Sequence, residues 1–246
     1  MKKNHSKERV KALVAWLERE VKSAGAKGTV FGLSGGIDAA VVGALCKEAC
    51  GRETLGLILP CFNRQEEVED AQLVAEKFGL PYRLIDLSDI YLLTAGILSG
   101  EKITGKERTP AFYNIKPRLR MIAFYYWASR LNYLVVGTSN RSERAIGYFT
   151  KYGDGGADLL PLGNLVKAEV RAVARCLGVP EKIINKPPSA GLWEGQTDEG
   201  EMGLTYEELD RYLLTGEGAP EVIKRLREME RKSAHKRRMP PLPEGG

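Results

Sequence analysis

Histidine is nearly missing from this chain, with two among 246 residues, and none of the four cysteines forms a C-x-x-C pair. Cys46 and Cys50 lie four apart on an expected helix, with no second pair or nearby histidine to complete a zinc site. Cys46, Cys50, Cys61 and Cys176 therefore read as reduced core thiols, as in a cytoplasmic protein. No segment approaches the ~20 apolar residues that cross a bilayer, because Asp38, Lys47 and Glu48 break the most apolar region. The opening residues, MKKNHSKERVK, are basic but have no apolar stretch or cleavage site, so no secretory signal is read there. Internal repeats and low-complexity tracts are absent. So are two common phosphate signatures, G-x-x-x-x-G-K-[ST] and G-x-G-x-x-G.

What remains is an ordinary globular composition, 43% hydrophobic and 28% charged, in a length that suits one domain over 1–246. The formal net charge of +5 suits nucleic acid or a small polyanion such as a nucleotide. The dense basic cluster, RKSAHKRRM, is thin ground for RNA binding and fits a solvated helix end equally well.

Apolar periodicity predicts helices over 6–24, 38–50, the stretch RQEEVEDAQLVAEKFGL, 114–130, 165–177, 205–214 and 219–233. Between them GTVFGL, TLGLILP, PYRLIDL and NYLVVGT read as short buried strands. A polar, Gly-bearing stretch separates the third strand from the helix at 114. Alternating strands and helices predict an α/β fold with a mainly parallel, doubly wound sheet covered on both faces. In such sheets ligands bind beyond the carboxyl ends of the strands. SGGIDAA and GTSNRSE both follow strand ends, which puts them on one rim.

Gly35 and Gly36 allow a tight turn into a helix and a close approach of an anion to the backbone. Helix N-terminal amides favour negative charge there. Asp38 is better suited to hold a Mg2+ that touches phosphate than to touch phosphate itself. Taken alone, the loop also reads as a plain glycine turn with a first-turn acid.

SGGIDAA resembles the pyrophosphate loop, usually SGGxDS, of the ATP-pyrophosphatase enzymes. The array GTSNRSERAIGYFTKYGDGGADLLPLGNLVKAEV, then NKPPSAGLWEGQTDEGEMGLTYEELD and HKRR, is similar to the NAD synthetase family, from about residue 8 to 240. The resemblance implies a five-stranded sheet. It implies a ligase that amidates deamido-NAD with ammonia through an acyl-adenylate, releasing AMP and pyrophosphate. By the same resemblance Gly32, Leu33, Ser34, Gly35, Gly36, Ile37, Asp38 and Ala39, with Thr138, Lys167 and Ser189, contact ATP. Asp38 and Glu143 bind Mg2+. Arg118, Lys151, Asp158, His235 and Lys236 contact deamido-NAD, and the basic segment 231–246 closes on the site. Catalysis falls to Asp38, Glu143, Lys151, Asp154 and Lys167, with Asp154 in a glycine-rich loop suited to covering a reacting centre. A homodimer is implied, with no membrane or nucleic-acid partner. Ammonia is implied as the nitrogen donor, since the chain has no room for a glutaminase domain.

Several of these residues keep a second reading at this point. Thr138 also suits a cap for a helix starting near Asn140. Arg118 suits a pair with a helix acid, Lys151 and Lys167 suit the surface, and Ser189 suits a turn. The aromatic run FYYW, 124–127, suits a core or a subunit contact. Ala39 departs from the family's serine and leaves one hydroxyl donor to be supplied elsewhere, with Ser34 nearest.

Overall fold

The computed structural model describes residues 2–193 and 195–243, the first three without their side chains. The chain runs α1 Lys2–Ser23, β1 Gly28–Gly32, α2 Ile37–Cys50, β2 Thr54–Ile58, α3 Gln65–Phe78 and β3 Tyr82–Leu84. It continues as α4 Ser88–Ser99, α5 Pro110–Tyr113, α6 Ile115–Leu131, β4 Tyr133–Val136, α7 Arg141–Ile146 and α8 Lys167–Leu177. The last helices are α9 Glu181–Asn185, α10 Asp198–Met202, α11 Tyr206–Thr215 and α12 Pro220–Ser233, followed by a 3-10 turn at Ala234–Lys236.

The strands are parallel in the order β3-β2-β1-β4. Strand order therefore reverses between β1 and β4, whose carboxyl ends are Gly32 and Val136. That crevice is where a sheet of this kind opens to a ligand. Strands β1 and β2 are almost wholly buried, which accounts for their continuous apolar character. One face packs Phe31 of β1 against Leu17, Val41, Leu45, Val74, Val170 and Ile183 from α1, α2, α3, α8 and α9. The other face packs Val30, Leu57, Tyr91, Ala95 and Val135 beneath α4 and α6. A third apolar cluster, with Ile146, Met202, Tyr206, Leu209 and Leu226, joins α7 to the C-terminal helices.

Among the described residues the sheet has four strands, one fewer than the family resemblance implies. Where a fifth would lie beside β4, the chain makes a single parallel bridge, Val136 to Leu159. The Asp158 carboxylate accepts the Val135 N–H at 2.8 Å, so a side chain replaces a ladder bond. The chain then leaves the edge through Pro161 and the turn closed by Gly163 N–H on Leu160 C=O. Strand β3 is an exposed edge rather than a buried strand. The stretch read as polar and Gly-bearing contains α4 and α5. Helix α4 escapes a periodicity reading because it is apolar on its outer face too, with Ile90, Leu93, Ile97 and Leu98 exposed.

Candidate active site

A cavity of about 630 Å3 opens at the β1–β4 crevice. Gly32, Leu33, Ser34, Gly36, Ile37, Asp38 and Ala39 form one wall, and Thr138, Glu143 and Lys167 line it too. Gly35 turns away from the cavity with φ +75°, and a Cβ there would stand 2.8 Å from Asp70 Cβ and from the Glu67 carbonyl. Only glycine takes that turn against α3 without strain. No side chain caps the α2 N-terminus, so its first-turn amides stay available to an anion at the wall. Ser34 Oγ accepts the Gly36 N–H at 3.3 Å, which leaves its own hydroxyl hydrogen to donate.

The two acids that the sequence places at separate strand ends meet on one cation. Lys167 Nζ is 2.5 Å from Asp38 Oδ2 and 3.4 Å from Glu143 Oε1. The two carboxylate oxygens are thus no further apart than those distances laid end to end. Lys167 is 2% exposed and is no surface lysine. Burial opposes its charge, yet Asp38 and Glu143 hold its pKa above the ordinary lysine value. Glu143 is pushed up to about 7, chiefly by burial, with Asp38 and Asp198 adding repulsion that Lys167 only partly offsets.

Asn140 orients both acids. Its amide donates to Asp38 Oδ1 at 3.0 Å, and its carbonyl accepts the Glu143 N–H at 3.0 Å. Glu143 returns a bond to the Asn140 N–H at 3.2 Å, closing a capping box at the start of α7. Asn140, and not Thr138, is therefore the helix cap. The N-x-x-E spacing of NRSE carries that signal. Tyr206 OH reaches Glu143 Oε1 at 3.2 Å and Asp198 Oδ2 at 2.9 Å. Burial raises the Asp198 carboxyl above its usual range. Asp210 steadies α8 from outside, accepting Ala168 N–H at 2.8 Å, Lys167 N–H at 3.3 Å and Ser142 Oγ–H at 2.5 Å. No local sequence signal marks Tyr206, Asp198 or Asp210, because each acts across a tertiary contact.

Asp154 and Ser189 line the same cavity. Asp154 accepts the Thr150 N–H at 2.9 Å, and Ser189 Oγ accepts the Gly191 N–H at 3.1 Å. Lys236 also lines it, donating to the Gly147 and Phe149 carbonyls, both at 2.8 Å. Four other predicted residues lie outside the lining. Arg118 Nη2 is 3.5 Å from the Lys151 carbonyl, and Lys151 Nζ donates to the His235 carbonyl at 3.0 Å. Asp158 accepts Tyr125 OH at 3.1 Å as well as the β4 amide. Next to Tyr125, α6 exposes Ile122 and Tyr126.

Fold and cavity together define an α/β protein whose sheet crevice joins an uncapped helix N-terminus, paired carboxylates and a buried lysine, a layout suited to a nucleotide phosphate chain. The NAD synthase family profile matches residues 9–240. The chain belongs to that family, in its ammonia-dependent branch, and is a ligase of that type. It is 53% identical over 236 residues to the NH(3)-dependent NAD(+) synthetase of Carboxydothermus hydrogenoformans, covering 96% of this chain and 97% of the relative. Among solved structures, the NMN synthetase of Francisella tularensis is similar at a TM-score of 0.90 and 39% identity, over 98% of this chain and 99% of that one. The NH3-dependent NAD synthetase of Campylobacter jejuni gives 0.78 and 30%, over 97% and 99%.

Proposed function

We propose that this chain amidates the pyridine carboxylate of deamido-NAD with ammonia at the expense of ATP, giving NAD, AMP and pyrophosphate. The observation that carries the reading is the convergence of Asp38 and Glu143 on Lys167 at the mouth of the phosphate loop. A carboxylate is a weak nucleophile, so the site must position it and stabilise charge. A carboxylate oxygen forms a bond to the ATP α-phosphorus, and the bond to the bridging oxygen breaks. Pyrophosphate leaves with that electron pair. Ammonia then forms the C–N bond with its lone pair, the C–O bond to AMP breaks, and the added nitrogen loses a proton.

In this scheme the loop 32–39 cradles the phosphates. Lys167 shifts from the acids toward the phosphate oxygens, and Thr138 and Ser189 complete the ATP contacts. Ser34 supplies the hydroxyl that Ala39 lacks. Asp154 and its glycine-rich loop cover the reacting carboxyl, where excluded water keeps the adenylate from hydrolysis. Asp38 and Glu143 would hold Mg2+. Among the described residues no group of three or more acid, histidine or cysteine side chains forms a metal cage. A nucleotide-bound Mg2+ needs only one or two carboxylates, and an ammonium already rests between these two, so the donor set fits. When bound, the ion neutralises charge on the phosphate oxygens.

Arg118, Lys151, Asp158, His235 and Lys236 take the dinucleotide. Arg118 shares α6 with the exposed Ile122 and Tyr126, and Asp158 bonds Tyr125 on the same helix, which supports a homodimer that brings a second copy against this face. The whole chain acts as one domain in which the segment 231–246 closes on the site; residues 244–246 lie outside the described residues. No helix among the described residues is long and apolar enough to cross a membrane. The reduced thiols fit a cytoplasmic enzyme.

The TM-score of 0.90 with an NMN synthetase favours a second reading, in which the substrate is the mononucleotide acid that corresponds to NMN. One assay separates the two: ATP, Mg2+ and ammonia with each acid in turn, following AMP and the amide. The first reading expects NAD from deamido-NAD at the higher kcat/KM. Preference for the mononucleotide transfers the chain to the second, and AMP release with neither acid removes both.

A further inference from the structure

A second charged cluster lies on the α3 side of the phosphate loop. Asp70 is 1% exposed and sits directly beneath Gly35. Two lysines meet its carboxylate: Lys182 Nζ at 2.7 Å from Oδ1 and Lys186 Nζ at 2.6 Å from Oδ2. Lys182 Nζ also lies 3.8 Å from Glu66 Oε1, so its charge is shared between two acids, whereas Lys186 pairs with Asp70. The Lys167 cluster differs, with one ammonium facing two carboxylates. Lys186 is thus the member of the Asp70 cluster that both pairs Asp70 and faces the cavity under the loop.

The two lysines differ in where they point. Lys182 is more than half exposed and is not part of the cavity wall, whereas the Lys186 side chain is 22% exposed and lines the cavity with Ser34, Gly36 and Ser189. We infer that Lys186 contacts the β- and γ-phosphates of ATP and receives the departing pyrophosphate, with Asp70 as its resting partner and Lys182 as the cation that keeps Asp70 paired when Lys186 moves. As the bond from the α-phosphorus to the bridging oxygen breaks, pyrophosphate leaves with the electron pair. The Lys186 ammonium meets that growing charge without giving up a proton. Four flexible side-chain carbons let the ammonium exchange one carboxylate oxygen for a phosphate oxygen.

This inference rests on the amidation reading. Its test compares wild type with K186M, K186R and K182M in two measurements: product inhibition by pyrophosphate against ATP, and calorimetric binding of inorganic pyrophosphate with Mg2+. In K186M the inhibition constant and the KM for ATP rise by about tenfold or more, the size of one charge-assisted hydrogen bond, while the KM for the acid substrate stays within about twofold. K186R keeps pyrophosphate binding within about threefold, and K182M, which retains the Lys186 ammonium, loses no more than about threefold. Unchanged pyrophosphate binding in an active K186M overturns the inference alone. An equal shift in K182M makes the trio a brace for the loop and also overturns it. A K186M chain that no longer melts cooperatively assigns Lys186 to the scaffold and refutes the phosphate role too. A wild-type chain with no turnover removes the amidation reading instead.

Discussion

Glu143 is predicted to weaken the fold once the pH passes about 7. Its carboxyl moves from 4.5 to about 7 on folding because it is buried near Asp38 and Asp198. The folded state thus holds this proton more tightly than the unfolded chain. Stability on this account falls as pH rises from about 4.5 to about 7 and stays low above it. A shift of that size corresponds to about 3 kcal/mol. Glu143→Gln removes the charge but keeps one acceptor. It cannot satisfy Lys167 and Tyr206 on one side and the Asn140 N–H on the other, as the carboxylate does. One lost hydrogen bond costs about 1 kcal/mol, so the variant should be about 2 kcal/mol more stable than wild type at pH 8. At pH 5, where wild type is itself protonated, the advantage disappears or reverses. Urea denaturation of both proteins at the two pH values, in chelator and without nucleotide, measures the difference. A stability difference independent of pH would refute the reasoning. The same variant should lose at least about 100-fold in turnover if, as proposed, the acid that destabilises the fold also holds the Mg2+.

Lys167→Met should lower kcat by at least about 100-fold in an assay of AMP release, because the proposed scheme moves this buried cation onto the phosphate oxygens. Gly35→Ala should cost about 1–3 kcal/mol in thermal denaturation and raise the KM for ATP, since a Cβ at φ +75° meets Asp70 and the Glu67 carbonyl. Ala39→Ser adds at most one charge-assisted hydrogen bond, about 1.5–3 kcal/mol, so kcat/KM for ATP should rise by no more than about 100-fold. A gain of several orders of magnitude would mean that Ser34 does not fill the gap. Sedimentation should report a dimer, and Tyr126→Glu on the exposed α6 face should shift it toward monomer.

The parts of the fold that depend on local burial were legible in the sequence. Strands β1, β2 and β4 announce themselves because apolar runs stop at small and polar residues, and those stops are the rim of the crevice. Asp38 and Glu143 were legible as a pair for the same reason, and NRSE carried a capping box in plain sight. Helix α4 was hidden because a helix apolar on both faces has no period to detect. The expected fifth strand is reduced to one bridge, and Asp158 takes the Val135 amide that a longer strand would pair. Asp70 reads as one more acid on an amphipathic helix, and Lys186 as one more loop lysine. Their meeting under Gly35 depends on how α3 and the segment after α9 pack, which no local pattern encodes.

The most direct test is a crystal structure of the chain with Mg2+ and a non-hydrolysable ATP analogue. A cation touching Asp38, Glu143 and a phosphate oxygen, with Lys167 Nζ withdrawn from Asp38 onto the α-phosphate, is the expected result. Phosphates bound away from the 32–39 loop, with Lys167 still closed on both acids, would contradict the account at its root.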